Sequence, residues 1–443
     1  MQRTTLFFLL VIFSEWASAD TVWRGTSPHS SVNGSGDITG PMGAAVSLSG
    51  ESTGTEGFIG AITSIDAHGY RGQEVVLAGT LQVKQGVGSA SLWGRADGPN
   101  GRIAFESSAG EPVRSGDGAQ TRKIRLYVPL DSTRLKLGAT LASAGHVGVE
   151  EVTLKAEAAT VNGVSAYGML DHAIAVIQAN ALNASRVDWN AERAVLLADE
   201  LKELPSQEAY SRIQEVLVTL EDRHSSIRGP KRAMALRESA IATQPIEASS
   251  MQDIGYLLVP GLSGTDLVAS RAFTAQLCKQ VASLAPTSPR GWIIDLRANP
   301  GGNMWPMING LHSFLGSANV GAIKERDGVV TPWQSTRSDA CSVELSRSRV
   351  AVLVGPRTAS SGEAVAVAFR GRPETSFFGE PTAGLSTSNR SFDLPDGGVL
   401  ALTTAVFTDR SGVEYPRGIQ PENFVPADQN VIQAATEWLR ASP

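Results

Sequence analysis

The chain has almost no cysteine: Cys278 and Cys341 are the only two in 443 residues. The six histidines are scattered, so no Cys/His spacing suits a zinc site, and neither a metal nor a cofactor is expected. Basic runs are missing too. With a net charge of −6 and no arginine-rich face, nothing points to nucleic acid. Long apolar stretches are also lacking. The longest, Leu6 to Phe13, is too short to span a bilayer. No internal repeat of fixed period stands out, which sets aside solenoids and propellers. What remains, 42% hydrophobic and 19% charged, is a globular composition with length for two or three domains.

The start, MQRTTLFFLLVIFSEWASAD, has the parts of a secretory signal. Arg3 supplies the positive region, Leu6 to Phe13 the apolar stretch, and Ala17-Ser18-Ala19 the small-residue cleavage site. No cysteine follows the apolar stretch to accept a lipid. Residues 1–19 are therefore expected to direct export, to the periplasm or beyond. In such an oxidising compartment Cys278 and Cys341 are free to pair, although spacing alone leaves the pairing open.

Residues 20–160 carry strand signals. In EVVLAGTLQVK apolar positions alternate, KIRLYVPL places Ile124, Leu126 and Val128 on one face, and HVGVEEVTLKAE closes the set. Clusters of Gly, Asn, Asp and Ser separate these runs, the pattern of an all-β sandwich or jelly roll. In 161–245 the period changes to helical, with Leu170, Ile174, Ile177 and Ala181 on one stripe. Asp188 and Ser206 stand where helix N-caps would. From 246 to 443 short apolar runs alternate with amphipathic segments, which implies an α/β layer.

Three stretches carry chemistry. In GWIIDLRANPGGN (291–303) a buried-strand signature ends at Asp295 and Arg297, which can hold the next loop by charge-assisted hydrogen bonds. Gly301 and Gly302 then leave backbone N–H groups clear to face a ligand, unless they form no more than a tight turn. In VAVLVGPRTASSGEAVAVAF (350–369) a strand runs through an elbow into a helix. Ser360 there is either an N-cap, boxed by Glu363, or a nucleophile favoured by the helix dipole. In LEDRHSSI (220–227) His224 is either a helix-end cation or a general base.

Taken in order, these stretches resemble the tail-specific, C-terminal-processing serine protease family, whose relatives include the tricorn core protease and the retinoid-binding-protein repeats. The resemblance runs from about Tyr167 to Pro443. It is carried by RVDW, EDRHSSI, IIDLRANPGGN, RTASSGEAVAVAF, FFGEPTAGLSTS, FDLPDGGVLALTTA and GIQPE. It implies an α/β, crotonase-like ββα catalytic domain with a helical lead-in. It also implies Ser360 as nucleophile and an oxyanion hole built from Gly301, Gly302 and Ser361. The family's activating lysine falls at Leu385, and leucine cannot relay a proton. The resemblance to the tricorn branch moves the base to His224 and its orienting carboxylate to Glu414, with Glu422 and Asp409 as rivals. About 29 residues separate His224 from Ile254, too few for an inserted PDZ domain.

The expectation is an exported serine peptidase acting on peptides or proteins by acyl transfer. The alternative is an inactive binding protein for a peptide, glycan or hydrophobic ligand on the same scaffold. Carbohydrate contact through the β domain would fall to aromatics such as Trp93 or Tyr70, which are otherwise core residues.

Overall fold

The computed structural model describes residues 21–51, 59–86, 88–161, 163–288 and 290–441. The signal-like segment lies outside them. Two compact units form: one from the described residues up to Ala166 with Glu200–Ser211, the other from Tyr167–Asp199 and the chain from Arg212 on.

The first unit is a sandwich of two antiparallel sheets. Alternating apolar residues make one face of each sheet hydrophobic, and residues such as Leu48, Leu77, Leu81, Leu92, Leu135 and Val147 meet in a single core. Eight strands form the frame: Ala44–Gly50, Ile59–Asp66, Gln73–Gly86, Ser89–Gly98, Gly101–Ser107, Gln120–Tyr127, Arg134–Leu141 and Gly145–Ala158, setting aside Ser30–Gly36 and the two-residue strands. Numbered along the chain, they run 1-8-3-6 in one sheet and 2-7-4-5 in the other, the double Greek key of a jelly roll. Trp93 is buried. Tyr70 lines a cavity of about 410 Å³ with Asp37, Thr39, Thr63 and Asp66.

The second unit is α/β. Its principal sheet runs, by position, Glu247–Met251, Ile254–Leu258, Gly291–Asp295, Val350–Val354, Thr375–Gly379 and Asn423–Phe424. The first pair is antiparallel and the rest are parallel. Central strands such as VAVLV are apolar throughout because both faces are covered. On one face lie the helices Leu267–Leu284, Met304–Gly310 and Ser361–Phe369; on the other lies Val431–Arg440. A second sheet, built on Val399–Asp409, pairs that strand with Ser226–Arg228, Asn319–Glu325 and Thr387–Asp393. The helix Ser361–Phe369 is buried along its whole length, which its SGEAVAVAF sequence permits.

Asp188 caps the helix Trp189–Leu196, its side chain accepting from the N–H groups of Asn190 and Ala191. Ser206 is not an N-cap. It opens a 3-10 turn, Ser206–Glu208, after Pro205, and the α-helix follows at Ala209–Thr219. Proline fixes the extended entry, and the tighter turn precedes the helix. Cys278 and Cys341 form a disulfide. Among the described residues no helix is long and apolar enough to cross a membrane.

Arg372 ties this unit together. It is 5% exposed, and its guanidinium donates to the carbonyls of Phe314, Leu345, Ser348 and Pro373 and to the Thr375 hydroxyl. Burial pushes its pKa down to about 10. Arg372→Met would orphan several buried carbonyls and is expected to cost about 3 kcal/mol of stability. Arg372→Lys should rescue little of it, because one ammonium cannot reach the same acceptors. Denaturant unfolding of both variants checks this.

Candidate active site

The parallel strands end side by side, and their C-terminal edge is where α/β sheets open crevices for ligands. Asp295 closes one strand. Arg297 grips it through Nε at 3.0 Å and Nη2 at 2.6 Å, its own N–H bonds Oδ1 at 3.0 Å, and the Tyr256 hydroxyl donates at 2.8 Å. The loop beyond is set by Asn299, which is fully buried. Its carbonyl accepts from Ala359 N–H at 3.0 Å, its Oδ1 accepts from Gly301 N–H at 2.9 Å, and its Nδ2 donates to Val259 O at 3.1 Å. Side chain and main chain of Asn299 together thus fasten the glycine turn to the elbow of the neighbouring strand.

At that elbow Ser360 has φ 54° and ψ −121°, a strained conformation that lifts its side chain clear of both strand and helix. Its N–H donates to Glu363 Oε2 at 2.9 Å, so the carboxylate half of the expected capping box is made. The Ser360 hydroxyl meets His224 Nε2 at 2.8 Å. Gly301, expected as an oxyanion donor, is committed to Asn299. The N–H groups of Gly302 and Ser361 have no partner among the described residues. Gly301 matters instead for what it lacks: a Cβ there would sit 2.7 Å from Ser361 N and 2.9 Å from Ser360 Cβ, filling the cradle. The Ser361 hydroxyl fastens the turn by donating to Gly302 O at 2.5 Å.

His224 lies beyond the helix Ala209–Thr219, in a turn held by Asp222, whose Oδ1 accepts from the N–H groups of His224 and Ser225. Its Nδ1 faces the Thr387 hydroxyl at 2.7 Å, and Asn389 Nδ2 donates to its carbonyl at 2.9 Å. The expected carboxylate is therefore not at Nδ1. Glu414 pairs with Lys324 at 2.6 Å, Glu422 with Arg370, and Asp409 accepts from Ser411, Val413 and Tyr415. Each of these three acids is engaged elsewhere, only Asp409 within its own loop, and a threonine occupies the position assigned to them. Sequence offered little warning, since Thr387 opens a strand in which threonine is ordinary.

Leu385 is half-buried, and its N–H donates to Glu363 Oε2 at 2.8 Å. Glu363 Oε1 accepts from Thr382 Oγ1 at 2.5 Å and Gly384 N–H at 3.0 Å. Burial pushes the Glu363 carboxyl up, against the pull of these hydrogen bonds. Burial also pushes His224 down to about 4, helped by Arg228 and opposed by Asp222. Among the described residues no cluster of three or more His, Cys, Asp or Glu is placed to hold a metal ion.

Residues 253–424 match the model of peptidase family S41. A nisin-resistance protein of Lactococcus lactis subsp. lactis is 29% identical over 196 residues, 42% of this chain and 59% of that protein. A carboxyl-terminal-processing protease of Picosynechococcus is 24% identical over 212 residues, 46% of this chain and 48% of its own. A solved lipoprotein of Streptococcus agalactiae is 25% identical, with a TM-score of 0.54, covering 64% of this chain and 98% of that one. Within the α/β unit, residues 253–424 thus conform to peptidase family S41, and the curated relatives matched there include carboxyl-terminal-processing proteases. The chain spans 48 to 59% of the length of the two curated relatives named.

Two outcomes follow. Glu363→Gln would set an amide N–H₂ against the inward N–H donors, and is expected to cost about 1–3 kcal/mol. Hydrogen exchange should speed up at residues 382–387. His224 is expected to stay neutral until pH falls to about 4, whereas in the unfolded chain it protonates near 6.5. The unfolded state then binds the extra proton, so this histidine withdraws stability as pH falls from 6.5 to 4. Imidazole ¹⁵N shifts measured across that range check the titration; a midpoint near 6.5 would contradict it.

Proposed function

We propose that the chain is an exported serine peptidase that cleaves peptide bonds by acyl transfer. The observation that carries the reading is the 2.8 Å contact between Ser360 Oγ and His224 Nε2, beside two unengaged N–H groups. Ser360 is the nucleophile. His224 takes its proton through Nε2 and returns it to the leaving amine. For Nε2 to accept, Nδ1 carries the hydrogen and donates to Thr387 Oγ1, which makes Thr387 the positioning residue in place of Glu414. Gly302 and Ser361 N–H stabilise the oxyanion. Burial suits this base, since a neutral imidazole is the form that accepts. Leu385 can neither accept nor relay a proton, so no lysine takes part from that position.

Export rests on the amino-terminal signal pattern and fits the disulfide between Cys278 and Cys341. Between His224 and Ile254 the chain forms a helix, Pro230–Arg237, and three short strands, so substrate selection falls to the catalytic unit or the jelly roll. If the jelly roll contacts carbohydrate, Tyr70 is the aromatic at a cavity, whereas Trp93 is enclosed.

A fluorophosphonate probe tests the reading. Wild type is expected to be labelled at Ser360, with Ser360→Ala and His224→Ala unlabelled. Thr387→Val should label roughly ten- to a hundredfold more slowly, since only orientation is lost. A folded wild type that resists the probe would favour the inactive scaffold.

A further inference from the structure

Next to the Ser–His pair stands a cation without a counter-charge. The strand Ser226–Arg228 follows His224 directly and pairs with Val399–Ala401, Arg228 opposite Val399. Arg228 is partly buried, and its guanidinium makes no hydrogen bond or ion pair with any described residue. It lies close enough to the imidazole to disfavour a proton there. Four residues on, in the helix Pro230–Arg237, Arg232 is equally unpaired among the described residues and close enough to disfavour the charge on Arg228.

The surrounding acids are taken. Asp222 holds the His224 turn, Glu363 holds the elbow, and Asp393, beyond Val399 on the next strand, pairs with Arg237. Most other arginines of this unit are engaged, Arg297, Arg349, Arg370 and Arg372 among them. A guanidinium partly withdrawn from water with no counter-charge is disfavoured, and a second cation near it adds repulsion. A carboxylate placed between them relieves both.

We propose that Arg228, seconded by Arg232, is a substrate subsite that takes a carboxylate of the peptide, either an acidic side chain near the scissile bond or the chain end. The proposal rests on the peptidase reading for its position in a substrate groove. An arginine suits the task because its planar fork meets both carboxylate oxygens.

Matched fluorogenic peptides test it: Glu against Gln at each position within three residues of the cleaved bond, and a free against an amidated carboxyl end. Wild type is expected to favour one carboxylate-bearing member by about tenfold or more in kcat/KM, chiefly through KM and less so at high salt. In Arg228→Gln that ratio should fall toward one, with part retained in Arg228→Lys. The responding pair identifies which carboxylate is bound. A wild-type ratio near one, or a ratio that survives Arg228→Gln, overturns the proposal. Binding of the same peptides to Ser360→Ala protein, read by fluorescence anisotropy, needs no turnover. Carboxylate-dependent binding without probe labelling of the wild type would overturn the peptidase reading and leave the subsite standing. Labelling without such binding would overturn the subsite alone.

Discussion

The site depends on one buried carboxylate. Glu363 receives four hydrogen bonds, from the N–H of Ser360, the hydroxyl of Thr382 and the N–H groups of Gly384 and Leu385. The first fixes the elbow that presents Ser360. The other three fix a loop that leaves the principal sheet at Gly379 and enters the second sheet at Thr387. Thr387 is the side chain that meets His224 Nδ1. A single group therefore governs both ends of the Ser–His contact, although the serine follows a strand of one sheet and the histidine precedes a strand of the other. An ionised carboxylate suits this position because it only accepts and can take several donors at once. The same donors work against the burial that pushes its carboxyl up.

A threonine at Nδ1 has electrostatic consequences. A carboxylate there would hold the imidazole by charge and stabilise the imidazolium. A hydroxyl holds it by geometry alone, so burial decides the protonation state and keeps the ring neutral. Arg228 pushes in the same direction, and Asp222 is the only acid among the causes of the shift. In the proposed reaction His224 is then a base that is ready to accept but weakly supported once charged. A substrate carboxylate near Arg228 would offset that cation and ease formation of the imidazolium during reaction.

Much of this was legible in the residues. Apolar alternation located the sandwich, the strand–elbow–helix pattern located Ser360, and Asp295 with Arg297 behaved as charge-assisted loop holders. Each of these is a local signal, written within about ten residues. The misreadings share a different origin. The resemblance to the tricorn branch assigns the orienting acid to Glu414, yet the chain turns it toward Lys324. Asn299 and Thr387 act through contacts 60 and 163 residues away in sequence, Asn299 to Ala359 and Thr387 to His224. Neither residue type is distinctive where it stands. Gly301 misled for a subtler reason: sequence shows that a glycine frees space, but not which neighbouring amide the freed space exposes.

The strain at Ser360 fits the same logic. A non-glycine residue at φ 54° would relax unless its surroundings over-determined it. Here they do so from three sides. Glu363 holds its N–H, Asn299 holds the N–H of Ala359 before it, and Thr358 anchors the approach through Leu296 O at 2.8 Å. Thr358 and Asn299 are fully buried, and Glu363 lies within a helix that is buried throughout. The cost of the turn is met by packing and hydrogen bonds one layer below the surface. The serine hydroxyl, the imidazole and the unengaged N–H groups above that layer are then free of structural duty, which is the condition for serving a substrate.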